Sequence, residues 1–323
     1  MRAAVLTEPG RSPAYTAHPD PAPPAGQSLV RVTAAPIVPL DLLCASGTSY
    51  FGRPAVPYVP GVQGVGVVER SDRFEPGTRV WFATSAGMAP GDGSLGELCA
   101  VPDTGVVPLT ATVEDSAMAA LGLSAVAAWM ALTWRAGLRA GEHVLVLGAG
   151  GAVGQSAIGA ARLLGAGRVV AVCRSEAAQE RAHAAGADAV VPLTGGVDEL
   201  TARFAEASGG RLDVVVDPVF GAPATAAVRA LSEHGRLVNL GGSAGDTAEF
   251  SSALVRSRSI GVLGYTNNAL TPQQRNEAIS TVAEHAAAGR LAVAHRVRPL
   301  AEAADAWAGE VAGGTGERVV LTP

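Results

Sequence analysis

Residues 143–166 read HVLVLGAGGAVGQSAIGAARLLGA. An unbroken apolar run over 143–147 closes at Gly148. Gly150, Gly151 and Gly154 then form a turn into an alanine-rich helix over about 152–164. Glycines at such a turn let the backbone bend tightly and approach a pyrophosphate, whose charge rests on the helix amino terminus. The same glycines could serve only close helix–strand packing, so the surroundings of the turn decide. Strand patterns recur at 168–173, 189–191, 212–217, 236–240 and 259–264, with helix patterns at 177–185 and 198–208. Six buried strands with short crossovers predict a doubly wound parallel sheet, an α/β fold of the Rossmann kind. In that setting the turn reads as a dinucleotide site formed by Gly150, Gly151, Ala152, Val153 and Gly154.

At 323 residues the chain is long enough for two domains. Its 48% hydrophobic and 16% charged residues suit a large packed core. The net charge of −5 argues against a polybasic nucleic-acid or membrane footprint. There is no lysine, so all 24 basic residues are arginine. That excludes lysine Schiff-base chemistry and a lysine-dependent P-loop. Cys44, Cys99 and Cys173 are far apart and form no CxxC pair, which excludes a disulfide framework or a four-cysteine zinc site. The opening MRAAVLTEPG lacks the apolar run of a signal peptide. Residues 116–134 carry no charge but are rich in Ala, Gly, Ser and Thr, so a single buried helix is expected rather than a membrane span. A cytoplasmic protein is the expectation.

The first 110 residues have a different texture. Short β patterns at 29–33, 65–69, 79–82 and 97–101 are separated by Gly and Pro. After Thr271 come one more helix, to about 288, and short strands at 296–298 and 318–321. This tail is too small to stand alone and is expected to return to the amino-terminal β-rich part. The expected division is therefore 1–122, 123–261 as the nucleotide domain, and 262–323 rejoining the first.

The end of the second strand of the nucleotide domain separates NAD from NADP. A carboxylate there would accept the ribose 2′-hydroxyl. This chain has Cys173-Arg174-Ser175, so Arg174 and Ser175 can bind a 2′-phosphate instead. NADPH is the expected cofactor, with Glu176 the one nearby residue that could oppose it. Arg174 as a plain solvated cation is the alternative.

These features, with Val38-Pro39-Leu40-Asp41, Pro60-Gly61-Val62-Gln63-Gly64-Val65-Gly66, Pro76-Gly77-Thr78-Arg79-Val80, Asp217-Pro218-Val219 and the ending Gly316-Glu317-Arg318-Val319-Val320-Leu321, resemble the medium-chain dehydrogenase/reductase superfamily, in its zinc-free quinone oxidoreductase-like branch. The resemblance spans essentially the whole chain. It implies a GroES-like β-rich catalytic domain, built from both chain ends, with a Rossmann domain inserted. It further implies cofactor contacts at Val219, Leu240, Gly241, Gly264, Tyr265 and Arg318, and homodimers paired through the strand at 259–264.

Zinc-dependent members carry Gly-His-Glu where this chain has Gly61-Val62-Gln63, and Val62 cannot ligate a metal. No metal site is expected. Without zinc to polarise an alcohol oxygen, hydride transfer to a conjugated acceptor is the accessible chemistry. Against the family pattern, Val38 replaces an asparagine, Ala45 and Ser49 replace an arginine and a tyrosine, and Ala127 replaces a threonine. Tyr50 is either the displaced hydroxyl donor or an aromatic packed in the 48–52 loop. Asp41 suits a helix-turn cap or an acid. Gln63 suits a pocket wall, since an amide does not titrate. Tyr50, Asp41 and Gln63 are thus the candidate catalytic residues. None of the six histidines has metal-ligand spacing to another, and Ser124 lacks a nucleophile-elbow sequence.

The leading expectation is an NADPH-dependent reductase of a quinone or an α,β-unsaturated carbonyl. The alternatives are a dedicated enoyl reductase acting on a polyketide-like intermediate, and a catalytically inactive NADPH-binding protein. The expected partner is a small conjugated substrate, with no nucleic acid or membrane.

Overall fold

The computed structural model describes all residues, 1–323. They form two compact units. The first comprises Met1–Gly122, Pro272–Ala287 and Ala294–Pro323, and the second Leu123–Thr271 and Ala288–Val293.

The first unit is β-rich. Its main sheet has seven strands, with Gln27–Pro36 at the centre pairing antiparallel with Gln63–Arg70 on one side. On the other side Arg318–Thr322 pairs antiparallel with the same central strand, and His295–Pro299 runs parallel to Arg318–Thr322. The last residues of the chain therefore complete the sheet begun by the first hundred. Alternation along Gln27–Pro36 sends Val30, Val32 and Ala34 inward, where they are buried. Trp81, Phe82 and Leu95 are also fully buried. The short helix Pro39–Ser46 begins with proline, whose missing N–H is not needed in a first turn, and ends at Gly47 with φ 79°.

The second unit is built around six parallel strands in the order 189–192, 168–173, 143–147, 214–217, 236–239 and 261–264. Counted along the chain this is the order 3-2-1-4-5-6 of a doubly wound sheet, with its switch point between His143–Leu147 and Val214–Asp217. Both faces are covered, so the strands are apolar throughout. Val144, Leu145, Val146 and Leu147 are fully buried, as are Val214, Val215 and Val216.

Three expectations need correction. The second unit does not stop at residue 261: Gly261–Gly264 pairs in register with Arg236–Asn239, and the unit continues to Thr271 and takes in Ala288–Val293. The apolar stretch 116–134 is not one regular helix. It breaks at Gly122 (φ 26°, ψ −127°) and ends in a π-helical segment, Ala131–Ala136. The apolar helical stretch Asp115–Ala136 is long enough to cross a membrane, but most of it is buried inside the protein. Finally, helices Gly221–Ala230, Ser252–Ser257 and Ala303–Val311 are additions; only the second carries a capping side chain, Ser251, whose Oγ accepts from the Leu254 N–H.

Candidate dinucleotide site and the family of the chain

All six strands of the second unit are parallel, so their carboxyl ends meet along one edge of the sheet. Gly148–Gly154 leave the strand His143–Leu147 on that edge, and Arg174–Ser175 leave Arg168–Cys173. Val219 follows Val214–Asp217, Leu240–Gly241 follow Arg236–Asn239, and Gly264–Tyr265 close Gly261–Gly264. The sequence-predicted cofactor residues of this unit thus come from five adjacent strands.

The glycines have separate jobs. Gly148 takes φ 60°, a conformation other residues rarely adopt. A Cβ on Gly150 would stand 2.3 Å from the Cβ of Ala178, and one on Gly154 would stand 2.4 Å from the Cα of Ala149. Gly151 is the N-cap of helix Ala152–Leu163 and supplies no side-chain cap. The first backbone N–H bonded within that helix is Gln155, to the Gly151 carbonyl at 2.9 Å. The N–H groups of Ala152, Val153 and Gly154 are therefore the orphan donors of a first turn, at the positive end of the helix dipole. Such a cradle fits a pyrophosphate.

Beside it, Arg174 is exposed and makes no protein hydrogen bond. Ser175 caps helix Glu176–Ala184, its Oγ accepting from the Ala178 N–H at 3.3 Å. Its hydroxyl proton remains available to an anion. Glu176 is exposed in the first turn of that helix.

Three residues that the sequence did not single out hold this edge together. Arg181 Nε and Gln155 Nε2 both donate to the Gly150 carbonyl, at 3.0 and 2.9 Å. Asn239 Nδ2 donates to the carbonyls of Asp217 (3.2 Å) and Gly241 (2.7 Å). The buried Asp217 accepts from the N–H groups of Val219 and Phe220 at 2.9 and 2.7 Å, which fixes the turn after its strand. Burial raises the Asp217 carboxyl above the usual carboxylate range, and those N–H groups pull it back. No sequence motif marks the contacts of Gln155 and Arg181, because they reach the Gly150 carbonyl from 5 and 31 residues away through side chains of ordinary type. Tyr265 donates its hydroxyl to Asn267 at 2.7 Å and lies edge-on to Trp134. The Cys173 thiol, pushed up to about 11 by burial, stays protonated at neutral pH.

In the first unit the expected residues are not gathered into one constellation. Asp41 is buried, with Oδ2 accepting from the Val38 N–H (2.8 Å) and Oδ1 from the Val62 N–H (2.9 Å). It caps the helix Pro39–Ser46 and ties it to the next strand, so the cap reading replaces the acid one. Burial pushes its carboxyl up to about 6, against those N–H groups and the charge of Arg318. Gln63 is fully buried; its Oε1 accepts from Trp81 Nε1 at 3.2 Å. Its side chain is packed into the interior of this unit. Tyr50 is 79% exposed and rests only on Phe51, ring centroids 4.2 Å apart. No fixed position holds its hydroxyl for proton donation.

Arg318 is buried in the first unit and donates to the Ile37 carbonyl at 2.8 Å. A surface hollow of about 690 Å³ lies in the first unit around Thr33, Arg79, Asp115 and Ser116. It contains none of the expected site residues, and its Arg79 and Asp115 are committed to an ion pair with each other.

Nowhere do three or more His, Cys, Asp or Glu side chains gather as a metal-ligand set. Val62 is buried beside Asp41, and the three cysteines are free and buried. The residues present do not fit a zinc ion.

The comparisons with known proteins agree with this architecture. The zinc-binding dehydrogenase family matches residues 152–284, and the alcohol dehydrogenase GroES-like domain matches 24–111. The chain is 31% identical, over its whole length, to part of a phenolphthiocerol/phthiocerol polyketide synthase polypeptide from Mycobacterium tuberculosis, of which it covers 15%. It is 30% identical to quinone oxidoreductase from Mus musculus, over 68% of this chain and 66% of that protein. The quinone oxidoreductase of Thermus thermophilus, solved alone and with NADPH, matches over the full length of both chains with a TM-score of 0.80 and 29% identity. The chain belongs to the medium-chain dehydrogenase/reductase superfamily, in its quinone oxidoreductase-like branch.

Proposed function

We propose that the chain is an NADPH-dependent, zinc-independent reductase that passes hydride to a quinone or an α,β-unsaturated carbonyl. One observation carries the reading. An uncapped, glycine-lined helix start lies on the same sheet edge as Arg174 and Ser175, with no carboxylate at the end of the intervening strand. The Thermus thermophilus relative, which forms a complex with NADPH, supports it.

When bound, NADPH supplies hydride from C4 of its nicotinamide. The chain's own residues bind and orient. The N–H groups of Ala152, Val153 and Gly154 take the pyrophosphate, and Arg174 with Ser175 takes the 2′-phosphate. Val219, Leu240, Gly241, Gly264 and Tyr265 line the remaining strand ends along which the dinucleotide extends. Neither Asp41, committed to two backbone N–H groups, nor Gln63, a buried amide, can deliver the proton that completes reduction. We assign that proton to water. The acceptor must then be electrophilic through its own conjugation, since no metal-ligand set is present to polarise it.

We place the protein in the cytoplasm as a homodimer. Gly261–Gly264 is one of the two edge strands of the six-stranded sheet, the other being Ala189–Pro192, and is the one through which we propose that a second copy pairs.

The full-length match to part of a polyketide synthase favours a second reading, an enoyl reductase dedicated to a polyketide-like thioester. NADPH consumption with quinones, simple enones, enoyl thioesters and aldehydes separates the possibilities. Turnover of quinones or enones supports the first reading; turnover confined to enoyl thioesters supports the second. NADPH binding without turnover of any acceptor contradicts both and marks an inactive binding protein.

A further inference from the structure

Arg181 is half-buried on helix Glu176–Ala184 and uses only Nε, which donates to the Gly150 carbonyl at 3.0 Å. Its two η nitrogens carry no protein hydrogen bond, although a guanidinium presents five N–H donors in a fixed fork. The fork is held at the glycine turn, because Gln155 bonds the same carbonyl from the other side and Ala178, one helical turn earlier, packs on Gly150. Its charge reaches Cys173, the residue immediately before Arg174. The guanidinium is thus anchored on the glycine turn, on the helix that Ser175 caps and that begins just after Arg174. No acidic side chain pairs with it: Glu176 and Glu180 of the same helix are exposed and make no ion pair with Arg181.

We propose that Arg181 is a second specificity-determining cation for the 2′-phosphate, its η nitrogens facing the phosphate while Nε fixes the Gly150 carbonyl. This rests on the NADPH assignment and deepens it. A guanidinium suits both jobs, because Nε and the η nitrogens donate in different directions from one planar fork. In a chain without lysine, two arginines can supply the charge that the phosphate needs.

The test is calorimetric titration of the purified protein with four ligands: NADPH, NADH, 2′,5′-ADP and 5′-AMP. Arg181→Met removes both contacts, so it should weaken NADPH and 2′,5′-ADP about ten-fold or more, the scale of one charge-assisted hydrogen bond, beyond whatever it costs NADH and 5′-AMP through the glycine turn. Arg181→Gln can still donate to the Gly150 carbonyl but has no charge, so it should show the same selective loss. Equal weakening of all four ligands would mean that Arg181 only shapes the glycine turn. Recovery of wild-type NADPH affinity in Arg181→Gln would overturn the phosphate contact as well. A wild type that binds 2′,5′-ADP no better than 5′-AMP would instead overturn the NADPH assignment itself. Melting curves of both variants show whether a loss comes from unfolding.

Discussion

Gly150 and Ala178 touch backbone to side chain: a Cβ placed on Gly150 would come within 2.3 Å of the Cβ of Ala178. This contact, with the two donors on the Gly150 carbonyl, fastens the pyrophosphate turn to the helix that begins beside Arg174. The two ends of the proposed dinucleotide site therefore move as one piece. Gly150→Ala should cost about 1–3 kcal/mol of stability through overpacking and weaken NADPH. Adding Ala178→Gly should return part of both losses, although glycine in a helix itself costs about 1 kcal/mol. A double-mutant cycle read by denaturant unfolding and by NADPH titration checks this; strictly additive effects would show that the contact does not couple the two elements.

The proposed role of Arg174 is to set the preference between cofactors. Removing a charge-assisted contact worth about 1.5–3 kcal/mol corresponds to roughly ten- to a hundred-fold in affinity. Arg174→Ala should weaken NADPH by that factor and leave NADH unchanged. If the variant loses both equally, or the wild type prefers NADH, Arg174 is only a surface cation and Glu176 governs the ribose.

How much of this was legible in sequence depends on the kind of contact. The turn Gly148–Gly154 and the strand end at Arg174 lie within one βα unit and its neighbour, so spacing alone located them. The cap role of Asp41 was also readable, because Val38 and Asp41 are three residues apart. The roles of Arg181, Gln155 and Asn239 were not, since side-chain hydrogen bonds to a distant carbonyl leave no periodicity. Gln63 was expected as a pocket wall and Arg318 from the family resemblance; what the sequence did not show is that the fold buries both, with partners in Trp81 and the Ile37 carbonyl. The break at Gly122 was hidden by an alanine-rich context that reads as continuous helix.

That break predicts a sharp sensitivity. Gly122 has φ 26°, and a Cβ there would stand 2.0 Å from Gln63 Oε1. Gly122→Ala must displace a buried amide and hold alanine in a conformation it rarely adopts. A loss of about 1–3 kcal/mol is expected from overpacking alone. A variant melting at the wild-type temperature would refute the strained backbone at this position.

Asp41 predicts a pH effect of defined sign. Its carboxyl titrates near 6 in the folded protein, above the ordinary 3.8, so the folded state holds this proton more tightly than the unfolded chain. Its contribution is therefore fully present below about 3.8 and is lost as pH rises through about 6. The stability difference between wild type and Asp41→Asn should change across this window and level off above it. Melting temperatures of both proteins, taken at intervals from about pH 4 to about pH 7 so as to bracket the raised value, measure it. A difference independent of pH would mean that Asp41 is not the titrating group.

The central claim is hydride transfer from NADPH to a conjugated acceptor without metal assistance. Its most direct test uses NADPH carrying deuterium at both C4 positions of the nicotinamide with an enone or enoyl thioester, after the protein has been treated with a strong chelator. The account predicts a reduced product carrying a single deuterium at the carbon β to the carbonyl, at a rate unchanged by the chelator. A product without deuterium, or turnover that disappears with the chelator and returns with zinc, would contradict it.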